Sequence, residues 1–127
     1  MKPRKFAAVT GVIGAALAVT TAVAVPAGAA PNVPNIHPGS RNHYGVTCVQ
    51  EGILDWIVRT KQNAWINVDG QYGDETYRWL LKFQRASGLE DDGIVGPRTG
   101  NSILDNLTGD TTITRRECYP HIPSTHR

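Results

Sequence analysis

Acidic residues, histidines and cysteines are the side chains in this chain that could do chemistry, and their spacing limits that chemistry. The Asp-Gly pairs at Asp69-Gly70 and Asp92-Gly93 are the first candidates, as calcium loops. Such a loop needs oxygen ligands five, three and one positions before the glycine and a glutamate six after it. Around Gly70 those places hold Trp65, Asn67, Asp69 and Thr76; around Gly93 they hold Gly88, Glu90, Asp92 and Thr99. Both fail at the first and last ligands. The four histidines, His37, His43, His121 and His126, lie outside the helical segments and have neither His-Glu-x-x-His nor Cys/His zinc spacing. No metal or cofactor is therefore expected. No Gly-x-Ser-x-Gly elbow occurs. Asp74/Glu75 and Glu90/Asp91/Asp92 could form a glycosidase carboxylate pair. The first cluster is explained by a helix start, and the second by a surface turn.

Aromatic side chains remain. Tyr44, Trp56, Trp65, Tyr72, Tyr77, Trp79, Phe83 and Tyr119 follow the leader. Trp56, Tyr72 and Phe83 fall at inward positions of helices or turns, whereas Trp65 stands in a polar loop and Tyr77 flanks the core stripe. A flat, amphipathic ring at the surface can stack on a sugar face or an apolar side chain.

The elements that position these residues begin after an export address. Met1 to Lys5 is cationic, Phe6 to Val25 carries no charge, and Pro26 and Ala27-Gly28-Ala29-Ala30 follow. This order reads as a secretory signal peptide over residues 1–30, cleaved after Ala29 or Ala30. The competing reading is an uncleaved anchor, because about twenty apolar residues can cross a bilayer. The whole chain has 13 Lys+Arg and 11 Asp+Glu, a net of +2, but three of the basic residues lie in the first five positions. Without the leader ten basic and eleven acidic residues remain, a net of −1. That argues against nucleic-acid binding through a cationic face.

Residues 31–43 (Pro31 to His43) are rich in proline and asparagine and read as a disordered arm. A folded domain is expected over 44–119, with a flexible tail at 120–127. So small a core profits from a staple. Cys48 and Cys118, exported to an oxidising compartment, are expected to form one disulfide. Val46, Val49, Ile53 and Trp56/Ile57 mark a first helix to about Arg59, with Thr47 as N-cap and Gln50 in capping-box position.

The domain then repeats itself. Asp69-Gly70-Gln71-Tyr72-Gly73-Asp74-Glu75-Thr76 is followed, at an offset of 23, by Asp92-Gly93-Ile94-Val95-Gly96-Pro97-Arg98-Thr99. In each copy the Asp-Gly pair makes a turn, Tyr72 or Ile94 drops inward, and Gly73 or Gly96 takes the N-cap place. Pro97 suits a first helical position, and Asp74/Glu75 put negative charge at a helix start. Thr76 and Thr99 are expected to reach back to a free backbone N–H. The second helix is expected from Asp74 to about Ser87, with Leu80, Phe83 and Ser87 inward and Gly88 as its C-cap. The third runs from Pro97 to about Leu107, with Ile103, Leu104 and Leu107 inward, ending near Gly109.

The run V46-x-x-V49-Q50-x-x-I53, D69-G70-Q71-Y72-G73-x-x-T76, L80-x-x-F83-Q84, G88-L89-x-x-D92-G93-I94-V95-G96-P97-x-T99 resembles the peptidoglycan-binding domain of bacterial cell-wall proteins. The resemblance covers about residues 44–107. It implies an all-α three-helix bundle and non-catalytic attachment to peptidoglycan, with Gln50, Phe83 and Gln84 packing and bonding the helices. Trp79 departs from the family, which usually has a small residue there. Gly52 is unfavourable inside a helix and points to a close helix contact. The cysteine pair is not part of the general motif. No catalytic domain is recognisable beside the module.

The expected ligand site is a shallow groove lined by Trp65, Asp69, Tyr72, Arg78 and Trp79, with backbone N–H groups at the two helix starts receiving a stem-peptide carboxylate or amide. The expected protein is a secreted, monomeric, non-catalytic binder of wall peptidoglycan, with no membrane contact after leader removal and a separate wall hydrolase as a further partner. Two other classes remain open: a secreted protein-interaction module on the same fold, and a minimal wall hydrolase.

Overall fold

The computed structural model describes residues 32–108 and 113–126. The expected leader over residues 1–30 and the expected helix end at Gly109 lie outside the described residues. Among the described residues four α-helices follow one another: α1 (His43–Arg59), α2 (Asp74–Ala86), α3 (Pro97–Asn106) and the short α4 (Arg115–Cys118), which runs into a 3-10 turn over Tyr119–His121. Among the described residues the fold is all-helical, and its extended pairing is confined to one antiparallel bridge between Ile36 and Val95.

α1 forms the centre. Val46, Val49, Ile53 and Ile57 are fully buried on one face, against Leu80 and Phe83 of α2 and Ile103 and Leu104 of α3. Trp56 completes that face edge-on to Phe83, ring centroids 5.5 Å apart. The helix cap lies five residues earlier than the sequence suggests. Asn42 is its N-cap, accepting from the Gly45 N–H at 2.9 Å. Thr47 is not a cap; it lies inside α1, where its hydroxyl donates to the His43 carbonyl, the back-bond that a helical threonine can make. Gly52 does mark a close contact, since a Cβ there would come within 2.8 Å of Ile103 Cγ2.

α2 and α3 start as the repeat predicts, with Gly73 and Gly96 in extended N-cap conformation and Pro97 at the first position of α3. Gly88 has φ of +71° and follows the C-cap Ser87, with the Leu89 N–H bonded to the Gln84 carbonyl. Ser87 is exposed, because its position falls past the last inward turn of α2.

The disulfide joins Cys48 of α1 to Cys118 of α4, Cα atoms 5.7 Å apart. α4 carries a full capping box, Thr114 with Glu117, at the start of its single turn. The chain beyond it is not a loose tail. Ile122, Pro123 and Ser124 are buried, and a Cβ on Gly100 would meet the Pro123 carbonyl oxygen at 1.7 Å. Asn101 of α3 bonds Ser124 and Thr125. Nor is the arm disordered throughout. Ile36 is buried, and exchanges both backbone hydrogen bonds with Val95. In both segments an isolated isoleucine among prolines and polar residues fills a place in the core, and composition averages over that single side chain.

Candidate functional site

Each repeated turn is held by one buried glutamine from the preceding helix. Gln50 of α1 accepts from the Asp69 and Gly70 N–H groups at 3.0 and 2.9 Å. Its Nε2 donates to Asp69 Oδ1, the Gln71 carbonyl and Thr76 Oγ1 at 2.9, 3.1 and 2.9 Å. Gln84 of α2 does the same for the second turn: it accepts from the Gly93 N–H at 3.0 Å and donates to Asp92 Oδ1, the Ile94 carbonyl and Thr99 Oγ1. Gly70 and Gly93 turn the chain at φ of +74° and +73°, a region glycine enters without steric cost. Thr76 and Thr99 therefore do not cap a helix. They are acceptors for the clamping amides, and Thr76 also donates to the Gln71 carbonyl at 3.2 Å.

The five groove residues expected from sequence have different fates. Trp65 is 64% exposed, and Arg78 is exposed on α2. Trp79 is half-buried, edge-on to Trp56 at 6.4 Å, with the Lys82 ammonium 4.4 Å from its ring centroid. Tyr72 is buried, and its hydroxyl donates to the Gly93 carbonyl, tying the first turn to the second. Burial, followed by the nearness of Tyr77 and Asp92, pushes its phenol well above the ordinary value. Asp69 is engaged by the turn: the Gln71 N–H and then the Gln50 amide hold its carboxyl below the usual range. The fold thus uses Asp69 and Tyr72 internally and leaves Trp65, Arg78 and part of Trp79 as free surface.

Among the described residues a concave surface lies at the second turn. A cleft of about 210 Å³ opens between the arm, the turn and the start of α3. Leu89, Ile94 and Pro97 give it an apolar lining, and Asn35, Glu90 and Arg98 its polar rim. Ile94 was expected to point inward but is 38% exposed: at the offset of 23 it corresponds to the exposed Gln71, and the counterpart of Tyr72 is the buried Val95. Sequence reasoning missed Asn35, Glu90 and Arg98. The available signal was the change of residue type between the two copies of the repeat.

Among the described residues no three of His, Cys, Asp and Glu come together in a way that could hold a metal ion. No described helix is long and apolar enough to cross a membrane.

The two glutamine-clamped turns launch successive helices on one backbone plan. Residues 61–103, which contain both turns, match the family described as "Putative peptidoglycan binding domain", so the resemblance drawn from the motifs holds over this segment. The chain is also similar to a zinc D-Ala-D-Ala carboxypeptidase of Streptomyces albus G, 32% identical over 124 residues. That similarity takes in 88% of this chain but 49% of the relative, so the chain spans about half the relative's length. No solved structure matches significantly.

Proposed function

We propose that this protein is an exported, non-catalytic module that attaches to bacterial cell-wall peptidoglycan. The observation that carries the reading is the family match over residues 61–103, which takes in both clamped turns and every lining residue of the cleft except Asn35. An extracellular or wall location follows from that ligand and agrees with the leader-like N-terminus. The relative is named for action on D-Ala-D-Ala. The similarity supports a wall target for this chain.

Co-sedimentation of the purified, disulfide-closed protein with isolated peptidoglycan tests the reading. Saturable pelleting is expected, without clearing of the suspension. Protein that stays in the supernatant at all wall concentrations would refute attachment, and a falling turbidity would refute the non-catalytic assignment.

A further inference from the structure

The two turns share one backbone plan but not one surface. Asn67 and Glu75 of the first copy correspond, at the offset of 23, to Glu90 and Arg98 of the second. In the first copy the pair closes on itself, Asn67 Nδ2 donating to Glu75 Oε1 at 3.0 Å across the start of α2. In the second copy neither Glu90 nor Arg98 has a hydrogen bond or ion pair among the described residues, and the cleft lies open between them. The neighbouring charges are accounted for. Asp91 is paired with Arg85 at 2.6 Å, and Asp92 accepts from Gln84 and from the Ile94 N–H.

Three donors converge on this opening. The Arg98 guanidinium is free. The Asn35 side-chain amide lies against Gly96, 3.7 Å from where a Cβ would stand, and makes no bond of its own among the described residues. Thr99 is 5% exposed and lines the cleft. It accepts from Gln84, but its own proton has no acceptor among the described residues, unlike that of its counterpart Thr76. The cleft is smaller than the roughly 300–1,000 Å³ of sites that enclose a drug-sized ligand. It therefore suits a chain end rather than a disaccharide.

We propose that this cleft seats the free C-terminal end of a short peptide. The carboxylate lies against Arg98, with Asn35 and the Thr99 hydroxyl as further donors. Small aliphatic side chains rest on Leu89, Ile94 and Pro97, and an amine on the ligand faces Glu90. Assigning that peptide to the wall rests on the function proposed above; the carboxylate chemistry does not. One free cation and one free carboxylate select a ligand that carries both charges, and disfavour polyanions.

The test uses the isotope-labelled purified protein, titrated with Nα-acetyl-Lys-D-Ala-D-Ala as the acid and as the C-terminal amide, followed by amide NMR. The acid is expected to shift the Gly96, Arg98 and Thr99 signals and to leave those of Asp74 and Glu75 in place. The amide form and Arg98→Gln should each weaken binding about tenfold, the loss expected for a charge-assisted contact. Arg98→Lys should recover part of the loss, and thermal stability should be unchanged in both variants. Equal binding of acid and amide, or shifts confined to the first turn, would overturn the proposal. Peptidoglycan pelleting run in parallel separates the two ideas. Pelleting without any peptide response removes this site and keeps wall attachment; a peptide response without pelleting keeps the site and removes attachment.

Discussion

Replacing Gln50 by glutamate changes one atom group and reverses what it can do. The side chain is 1% exposed, so the new carboxylate cannot turn to solvent. One of its oxygens still accepts from the Asp69 and Gly70 N–H groups. The other faces three acceptors that Nε2 now serves: Asp69 Oδ1, the Gln71 carbonyl and Thr76 Oγ1. The lost bond to the Asp69 carboxylate is worth about 2 kcal/mol and the second proton, shared between the Gln71 carbonyl and Thr76 Oγ1, about 1 kcal/mol, so the loss is about 3 kcal/mol before any repulsion is added. A small domain is stable by roughly 5–15 kcal/mol in all, so the variant is expected to be near its unfolding threshold.

Burial and the Asp69 charge would raise the folded-state pKa of a glutamate here above its ordinary value. The deficit should therefore shrink below the unfolded value of about 4.3 and grow as pH rises through the folded one. Urea unfolding followed by circular dichroism, with the disulfide closed, measures the difference between variant and parent at pH 7 and pH 4. A difference under about 1 kcal/mol at pH 7 would refute the claim that Gln50 holds the turn. A large deficit that stays the same at both pH values would refute its electrostatic origin.

Reducing the Cys48–Cys118 bond, which closes a separation of 70 residues, should cost about 4 kcal/mol by the loop-entropy estimate. A thermal melt with and without reductant reads this, and an unchanged midpoint would contradict it. Gly93→Ala should destabilise far more than Gly39→Ala. Both positions have positive φ, but the new methyl at 93 would stand 2.2 Å from the Tyr77 ring, while the one at 39 meets nothing within 4 Å. Comparable losses in urea midpoint would sink the argument. Glu51 is buried on α1, and desolvation, then the charge of Asp55 one turn on, raises its pKa. A raised folded-state value means stability is lost as pH climbs through it, so Glu51→Gln should stabilise at pH 7 and gain nothing near pH 4. Equal gains at both would show that the charge is not the cause.

The repeat was the most legible part of the molecule. Asp-Gly, the following glycine and Pro97 each have a local backbone reason to occupy their places, so both helix starts could be read without tertiary information. Gln50 and Gln84 were legible as scaffold only through the family resemblance, because their partners lie 19 and 8 residues away in sequence and nothing local requires them. Thr114 and Glu117 have capping-box spacing, but no run of periodic apolar residues follows them to mark the single turn of α4. Ile36 and Ile122 were hidden for a different reason: one buried side chain in a polar, proline-rich segment has no period. Tyr72 was assigned to both core and ligand surface, and its burial and its bond to Gly93 settle it in the core. The cleft escaped notice because its walls come from the arm, the second turn and α3, and the turn consensus draws the eye to what the copies share. What opens the cleft is where they differ, at Arg98 against Glu75.

The glutamine clamps place each helix-turn unit under the control of the one before it: α1 fixes the turn that starts α2, and α2 fixes the turn that starts α3. That is the wiring of a linear array, in which stability passes between nearest neighbours and a further unit could be spliced on without redesigning the rest. The series stops at α3 for a legible reason. Twenty-three residues beyond Gln84 stands Leu107, a buried aliphatic side chain with no amide to offer another turn. Beyond α3 the chain returns to the body by other means: Cys118 is bonded to Cys48 of α1, and Ile122 is buried in the core.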